Sequence, residues 1–264
     1  MIIVSWNLLD GGFDNGSAGR LARQLELLAD LRPDVALVQE AKHWLWNGAG
    51  GLHLAERVLG MRAYLAHASR HGCHVAVLIR PHSDIEVIRE RHEEHHPFWH
   101  AQARVVCHVA GLSDPLVFAS THFAPFNPAL RVEEACASSD LAKGLAVLAG
   151  DFNDPGLGDP PADWGGLPCY KVVRHTRSDV PGWPQDDRAA HVLHEAGFVD
   201  VAAHLAQRGL PGVLGATAGF GMGSTPIRCD RIYVTGPLTD VIADYGTVAS
   251  EDSDHHLLTA RLAL

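Results

Sequence analysis

The chain has 264 residues, of which 47% are hydrophobic and 20% charged, with a formal net charge of −10. This length and composition are typical of one large globular α/β domain, here residues 1–264. The acidic balance argues against tight non-specific binding of nucleic acid, which depends on Lys and Arg, although a metal in an acidic site can supply local positive charge.

No apolar stretch is long enough to predict a membrane span, and the amino terminus MIIVSWNLL lacks the basic region of a signal peptide. We therefore expect a cytoplasmic protein, and a monomer. The five cysteines are scattered, odd in number and without a CxxC pair, which suggests neither a disulfide framework nor a structural zinc site.

The first elements alternate between strand and helix. Residues 2–8 predict a strand, and a helix capped by Ser17 follows, with leucines at 21, 25 and 28 on one face and Pro33 beyond its end. Residues 34–40 predict a second buried strand, and residues 52–60 a short helix that ends at Gly60.

The middle and the end of the chain are richer in strands. Strand composition recurs at residues 63–67, 74–80, 84–90, 103–111, 115–123, 145–153, 229–234, 240–245 and 256–262. Residues 128–144 predict a helix, and residues 155–190 form the longest irregular stretch. Several strands follow one another directly, which favours a mixed-sheet α/β or α+β sandwich over a Rossmann fold or a barrel.

Histidine is frequent, with 18 residues, and is densest in RHEEHHPFWH at residues 91–100. Imidazoles at 92, 95, 96 and 100 could bind a transition metal. The segment is nevertheless a charged run between two strand-like stretches, and we expect a solvated loop.

The most informative stretch is LAVLAGDFNDP at residues 145–155. An apolar run ends at Gly150, and Asp151 and Asn153 follow, two residues apart and so on one side of a strand. This pair can ligate a hard cation or orient a water against a phosphate. Alone, it is better explained as a turn after a strand, and Asp154 is expected to be a turn residue.

Other strand ends carry similar residues, namely Asn7, Glu40, His122, Asp254 and His255. Their oxygen donors suit Mg²⁺, Mn²⁺ or Ca²⁺ better than zinc. Carboxylates, a divalent cation and histidine together are what the hydrolysis of a phosphoester requires.

Six short motifs, in this order, resemble those of the endonuclease/exonuclease/phosphatase superfamily. They are Trp6-Asn7-Leu8, Gln39-Glu40, Thr121-His122-Phe123, Gly150-Asp151-Phe152-Asn153, Asp230-Arg231-Ile232 and Ser253-Asp254-His255. The resemblance spans residues 6–255 and implies a four-layer α/β/β/α sandwich, in which two packed mixed sheets have helices outside and the site lies at one edge between them.

The resemblance also implies a metal site. Glu40, with Asn7, would bind the divalent metal, normally Mg²⁺ with Mn²⁺ as a possible substitute. Asp254 would be a further ligand or would hold His255.

The resemblance implies more than one possible catalytic role for several residues. His255 would be the general base or a phosphate ligand, with Asp230 as its orienting carboxylate. Asp151 would position or activate the nucleophilic water, or act at a second metal. Asn153 and His122 would hold the phosphate, with His122 able to assist the leaving group.

Two departures from the family pattern concern the phosphate side. The segment before the strand at 75 lacks the acid that in some nucleases pairs with the counterpart of His122. Where many members have an Arg opening the next strand, the place falls to either His100 or Arg104, as a substrate contact.

The loop at 155–190 follows the Asp151 strand and would lie near the site. Its Trp164, Trp183, Arg174, His175 and Arg177 would form a substrate wall, with aromatics for stacking and Arg for phosphate. A surface loop tied down by two partly buried tryptophans is an equal alternative.

Three functions remain open from the sequence. A metal-dependent nuclease is favoured by the resemblance, while a phosphodiesterase or phosphatase acting on a nucleotide, sugar phosphate or lipid head group suits the acidic balance. A non-catalytic scaffold would keep the fold, but every expected carboxylate and histidine of the motifs is present. None of the catalytic roles that the resemblance implies falls to a Ser or a Cys, which predicts direct attack by water.

Overall fold

The protein is described by a computed structural model that covers residues 1–81 and 84–264. Two mixed six-stranded sheets pack face to face. The first contains, in spatial order, β11 (Ile242–Val248), β12 (Leu257–Leu262), β1 (Ile2–Asn7), β2 (Val35–Gln39), β4 (Val75–Ile79) and β3 (Arg62–Ala66). The second contains β5 (Ile85–Glu90), β6 (Gln102–Val109), β7 (Leu116–His122), β8 (Leu145–Asp151), β10 (Asp230–Thr235) and β9 (Phe198–Asp200).

Each sheet has one parallel pair of strands at its centre, β1 with β2 in the first and β7 with β8 in the second. All other neighbours in both sheets are antiparallel. The carboxyl ends of a parallel pair lie at the same edge of a sheet, so each centre delivers two strand ends together.

Within residues 1–81 and 84–264, six helices flank the strands. They are α1 (Gly19–Leu31), α2 (Trp46–Leu59), α3 (Pro128–Ser138), the single-turn α4 (Cys169–Val172), α5 (Arg188–Glu195) and α6 (Val201–Gln207). Short 3₁₀ turns occupy Asp10–Gly12, Ser139–Lys143 and Gly236–Val241.

Apolar side chains form three main layers of core. The largest lies between the sheets, a second lies under α1 and α2 against the first sheet, and a third lies under α3 and α5 against the second sheet. The predicted leucines 21, 25 and 28 are buried in the α1 layer. The four-layer sandwich of two mixed sheets with helices outside is therefore confirmed.

The element boundaries differ from the prediction in three places. The predicted helix at 52–60 begins earlier, at Trp46, because residues 47–49 add a left-handed turn before it. The predicted strand at 240–245 begins at Ile242, after a 3₁₀ turn. The short elements α5, β9 and α6 had no sequence prediction.

Gly150 shows how closely the second sheet is packed at its site end. A Cβ at this position would lie 1.8 Å from the carbonyl oxygen of Thr121 on the paired strand. Only glycine therefore allows β7 and β8 to remain in register up to His122 and Asp151, which are direct partners.

Among the described residues, the structure contains no helix with both the length and the apolar character needed to cross a membrane.

Candidate active site

Polar residues from both sheets meet at one edge of the sandwich. Asn7 ends β1 and Glu40 directly follows β2 in the first sheet. His122 ends β7 and Asp151 ends β8 in the second, while Asp230 opens β10 in register with Asp151. The five motifs that contribute these residues are thus brought together by strand pairing within each sheet and by packing of the two sheets.

The side-chain amide of Asn7 connects the two sheets. Its Nδ2 donates to Glu40 Oε1 at 3.3 Å and to Asp151 Oδ2 at 3.2 Å. Its Oδ1 accepts from the backbone N–H of Leu9 at 3.1 Å, which fixes the orientation of the amide. In this arrangement Asn7 positions two carboxylates, and its oxygen does not face them as a metal ligand would.

Asp230 and His255 form a buried carboxylate–imidazole pair. Asp230 Oδ2 lies 2.9 Å from His255 Nδ1 and accepts from Thr217 Oγ1 at 2.7 Å. The carbonyl of His255 accepts from the Trp6 indole N–H at 3.0 Å, so its backbone is held as well. This geometry is the one expected of a carboxylate that orients His255. Thr217, which also binds Asp230, lies in none of the six motifs.

Two imidazoles flank the Asp151 carboxylate. Its Oδ2 lies 3.3 Å from His122 Nε2 and 3.7 Å from His255 Nε2. Burial alone would raise the pKa of Asp151, but the two histidines hold it below its usual value. Burial would lower the pKa of His122 and of His255, but Asp151 raises the first, and Asp230 with Asp151 raises the second well above its usual value. The neighbouring carboxylates therefore favour the imidazolium form of both rings.

Asn153 is fixed at the rim of this cluster by two hydrogen bonds. Its backbone N–H donates to Asp151 Oδ1 at 2.9 Å, and its side-chain Nδ2 donates to the carbonyl of Phe123 at 3.0 Å. Its φ of 54° is left-handed, a conformation that Asn adopts more readily than most residues. One amide N–H and the amide oxygen of Asn153 are left for a ligand.

His100 joins the site, and the expectation of a solvated loop is wrong for this residue. Its ring is only 5% exposed and stacks on His122 with centroids 3.9 Å apart and planes 10° apart. The nearby hydrophobic residue Phe98 is buried too, so this end of the histidine-rich segment packs against the protein. His95 and His96 in the same segment are exposed.

Two arginines expected near the substrate lie elsewhere. Arg104 is buried on the outer face of the second sheet, where it pairs with Glu93 at 3.1 Å and donates to Gln102 at 2.6 Å. Arg177 pairs with Asp179 at 2.8 Å in the loop. Of the two alternatives for the phosphate side, the structure places His100 against His122.

Asp254 lies at the mouth of the site. Its side chain is 60% exposed, and its Oδ1 is 4.0 Å from His255 Nε2. Burial of its inner part, together with nearby Glu40, raises its pKa, although His255 opposes this effect. Asp254 therefore faces the approach to the cluster and makes no close hydrogen bond to His255.

A cavity of about 260 Å³ adjoins the cluster and is walled by the predicted loop. Asn153 and His255 form its inner end, and Lys171 and Arg174 bring positive charge to its wall. Trp164 and His175, stacked 5.3 Å apart, also line it, whereas Trp183 and Arg177 do not. The loop thus lies beside the site, as expected.

The donor set fits a hard divalent cation. Glu40 is half-buried, receives N–H groups from Asn7 and Asp10, and has no Lys, Arg or His within ion-pair distance among the described residues. Glu40 and Asp151, held by one amide, offer oxygen ligands, and Asp254 adds another at the mouth. The uncompensated Glu40 carboxylate is therefore suited to hold Mg²⁺, with Asp151 and Asp254 as further oxygen donors.

A second grouping within the cluster is also compatible with a metal. Ligand atoms of Asp151, Cys229, Asp230 and His255 all lie within 4.8 Å of one another. The Asp230 carboxylate already accepts from Thr217 and contacts His255, so this group functions first as a carboxylate–imidazole pair.

Glu134 on α3 holds the backbone on both sides of the two stacked histidines. Its fully buried carboxylate accepts from the backbone N–H of Trp99 and of Ala124, each at 2.8 Å. These residues adjoin His100 and the segment after His122. Burial raises the pKa of Glu134 to about 8, although the two N–H donors act in the opposite direction.

Comparisons with known proteins agree with this geometry. A sequence model described as the Endonuclease/Exonuclease/phosphatase family matches residues 4–255. No curated protein matches the chain in sequence.

Solved structures share the fold at low sequence identity. A humanized zebrafish (D. rerio) TDP2 is 18% identical, with a TM-score of 0.68, and 98% of this chain aligns with 97% of that one. An AP endonuclease from Archaeoglobus fulgidus is 17% identical, with a TM-score of 0.67 and full coverage of both chains. Zebrafish TDP2 in complex with a single-strand DNA product is 17% identical, with a TM-score of 0.64 and coverage of 98% and 97%.

The raised pKa of Glu134 predicts a pH-dependent stability. The unfolded carboxyl loses its proton near its ordinary pKa of about 4.3, and the folded one only near pH 8, so unfolding releases a proton between these values. Stability is therefore full below the unfolded pKa and falls as the pH rises towards 8, by at most about 1.4 kcal/mol per pH unit.

Thermal unfolding of Glu134→Gln from pH 5 to pH 8, in EDTA, checks this effect. The Tm of the wild type should fall relative to that of the variant as the pH rises. Glu133→Gln, at the exposed neighbour on α3, is the matched control and should keep the pH dependence of the wild type. A constant Tm difference between the wild type and Glu134→Gln would contradict the expectation.

Proposed function

The chain belongs to the endonuclease/exonuclease/phosphatase family and is a phosphoric ester hydrolase, and we propose that it is a Mg²⁺-dependent nuclease that cleaves phosphodiesters of single-stranded or unpaired nucleic acid. A monomer in the cytoplasm remains our expectation for its state and location. The substrate assignment rests on the surface around the cluster.

The observation that supports nucleic acid is a continuous rim of aromatic and cationic side chains, formed by Arg70, Trp99, Phe126, Arg174 and Tyr170. The Arg70 guanidinium lies 5.0 Å from the Trp99 ring centroid, which is 6.3 Å from that of Phe126. The Arg174 guanidinium lies 5.0 Å from Phe126 and 5.4 Å from Tyr170.

This rim borders the reacting groups. Trp99 precedes His100, which stacks on His122, and Arg174 lines the cavity that ends at His255. Phe126 is 57% exposed and Tyr170 is 59% exposed, so both rings present apolar surface that a ligand could cover. Exposed rings with interleaved cations are suited to stack unpaired bases and to contact the backbone, and their positive charge is local despite the net charge of −10.

A fold relative supports the same direction. Zebrafish TDP2, which shares the fold, is known in complex with a single-strand DNA product. The identity is only 17%, so the substrate of this chain is argued from its own rim.

The residues of the cluster divide the reaction among them. The bound cation, held by Glu40 with Asp151 and Asp254, would supply charge neutralisation and acidify a water. Asp151, an ionised carboxylate, positions the attacking water and accepts its proton. The reaction then breaks the phosphorus–oxygen bond to the leaving group without an intermediate bound to the chain.

The two imidazolium rings stabilise the phosphate. His255, kept protonated by Asp230, faces the phosphate as a cation, which favours the phosphate-ligand alternative over the general base. His122 lies on the other side of Asp151 and can give its proton to the leaving oxygen. Asn153 offers its free amide N–H to a phosphate oxygen.

A small-molecule phosphodiester or phosphomonoester is the second candidate. The open cavity of about 260 Å³ has room for a small anionic group, with Lys171 and Arg174 on its wall. A non-catalytic scaffold is not favoured, because every carboxylate and histidine of the motifs is present and lies at the same edge of the sandwich.

The first test compares the rates of hydrolysis by the wild type and by Glu40→Gln, each measured with and without a divalent metal. Wild-type protein with Mg²⁺ should cleave a single-stranded oligonucleotide and bis-p-nitrophenyl phosphate, and EDTA should abolish both activities. Glu40→Gln removes the uncompensated carboxylate and should reduce kcat at least about 100-fold while the Tm stays near that of the wild type. Glu195→Gln, an exposed residue at the end of α5, is the control. Retained activity in Glu40→Gln would remove this residue from the metal site.

The second test separates nucleic acid from small substrates. Phe126→Ala should raise the KM for a single-stranded oligonucleotide about 5- to 100-fold, since stacking one base contributes about 1–3 kcal/mol. The KM for bis-p-nitrophenyl phosphate, which has no base, should change far less. Ile88→Ala, a 44% exposed residue on β5 outside the rim, is the control. Equal effects on both substrates, or cleavage of p-nitrophenyl phosphate alone, would favour the small-molecule candidate.

A further inference from the structure

Three residues beside the site form a cluster that the hydrolytic reaction does not use. His71 and Cys73 lie just before β4, and His100 lies just before β6. One ligand atom from each, two ring nitrogens and one sulfur, can be chosen so that all three are within 4.8 Å of one another.

We propose that His71, Cys73 and His100 form a second metal site, which binds Zn²⁺ through two imidazole nitrogens and one thiolate. The ligands of a tetrahedral zinc site lie about 3.3–3.7 Å apart, given bonds of about 2.0–2.3 Å. The observed group needs to close by only about 1 Å to reach that spacing.

His100 provides the independent observation. It is 5% exposed, and neither ring nitrogen has a partner at hydrogen-bond geometry, the nearby polar group being the backbone of Cys73. A buried imidazole without any partner is costly, and such groups call for a ligand. The His71 ring lies beside it at 4.5 Å between centroids, inclined by 73°, so the nitrogens of both rings can converge.

The chemistry of the donors selects zinc over magnesium. Imidazole and thiolate are the ligands that Zn²⁺ prefers, whereas Mg²⁺ prefers oxygen, as at Glu40. The Cys73 thiol would lose its proton to solvent as the sulfur–zinc bond forms, so one proton is released per ion.

The site was hidden in the sequence because its ligands come from two distant segments. No CxxC spacing marks it, and the histidine-rich run at 91–100 contributes one ligand only. Three protein ligands leave a fourth coordination position for water or another ligand.

The zinc site would act on the hydrolytic centre through His100. The His100 ring is stacked on His122 at 3.9 Å, so coordination of His100 would fix the surface against which this phosphate-facing ring packs. His100 is then a positioning residue, and the zinc is separate from the Mg²⁺ at Glu40.

Cobalt substitution tests the proposal by a readout independent of hydrolysis. The full chain, freed of any affinity tag and treated with EDTA, is titrated with Co²⁺ and then with Zn²⁺. We expect a thiolate-to-cobalt charge-transfer band in the near ultraviolet that saturates at one equivalent and disappears when Zn²⁺ is added.

Variants assign the thiolate. Cys73→Ser should lose the band, while Cys136→Ser, at an exposed cysteine, should keep it. Cys229→Ala should keep it as well, which excludes the other cysteine that lies beside acids and a histidine. His71→Gln, in the exposed loop before β4, should weaken Zn²⁺ binding more than about 100-fold in a chelator competition, since loss of an outer partner alone costs about 10- to 100-fold.

Circular dichroism of each variant reports whether it is folded, and His71→Gln carries the test if Cys73→Ser does not fold. A band that survives Cys73→Ser, a band lost in Cys229→Ala, unchanged Zn²⁺ affinity in His71→Gln, or no band in the wild type would each overturn the proposal.

Discussion

The site depends on one side-chain amide that joins the two sheets. Asn7, at the end of β1, donates from a single nitrogen to Glu40 in its own sheet and to Asp151 in the other. Two carboxylates in a partly dry environment repel each other, and a shared donor holds them at a fixed separation. The edge between the sheets can therefore keep acidic groups ready for a cation.

This bridge is possible because the two sheets are built alike. Each has a central parallel pair whose carboxyl ends reach the same edge, and the pairs face each other across the core. Below the site, Gln39 of the first sheet donates to Ser120 of the second at 3.0 Å, and Ser120 donates to the carbonyl of Val38 at 3.0 Å. These buried polar contacts fix how one sheet lies over the other, and hence the distance that Asn7 spans.

The order of the motifs and the pattern of the strands allowed the fold and most of the cluster to be predicted. Asp151 ends an apolar run, Glu40 directly follows one, and His255 lies just before the last one, so the strands place all three at the edge of a sheet. Contacts made by residues far from any motif were not predictable. Glu134 is one of two adjacent acids on α3, and only the fold shows that its carboxylate reaches the backbone next to His100.

Burial was the other quantity that the sequence did not reveal. His100 belongs to a charged run and resembles a solvated residue, yet packing of Phe98 draws it inside to stack on His122. Arg104 was an alternative for the substrate contact, but the alternation of side chains along β6 places it on the outer face of the sheet. There it pairs with Glu93. Such choices depend on the sheet face and the partner, which short motifs do not encode.

In the proposed mechanism, a water placed by Asp151 attacks the phosphate directly, and the phosphate forms no covalent bond with the chain. The most direct measurement is the stereochemical course of hydrolysis of a phosphorothioate diester that is chiral at phosphorus, carried out in isotopically labelled water with Mg²⁺. A single in-line attack by water predicts inversion at phosphorus and one labelled oxygen in the product. Retention of configuration would require two displacements and a covalent intermediate, and would contradict direct attack by water.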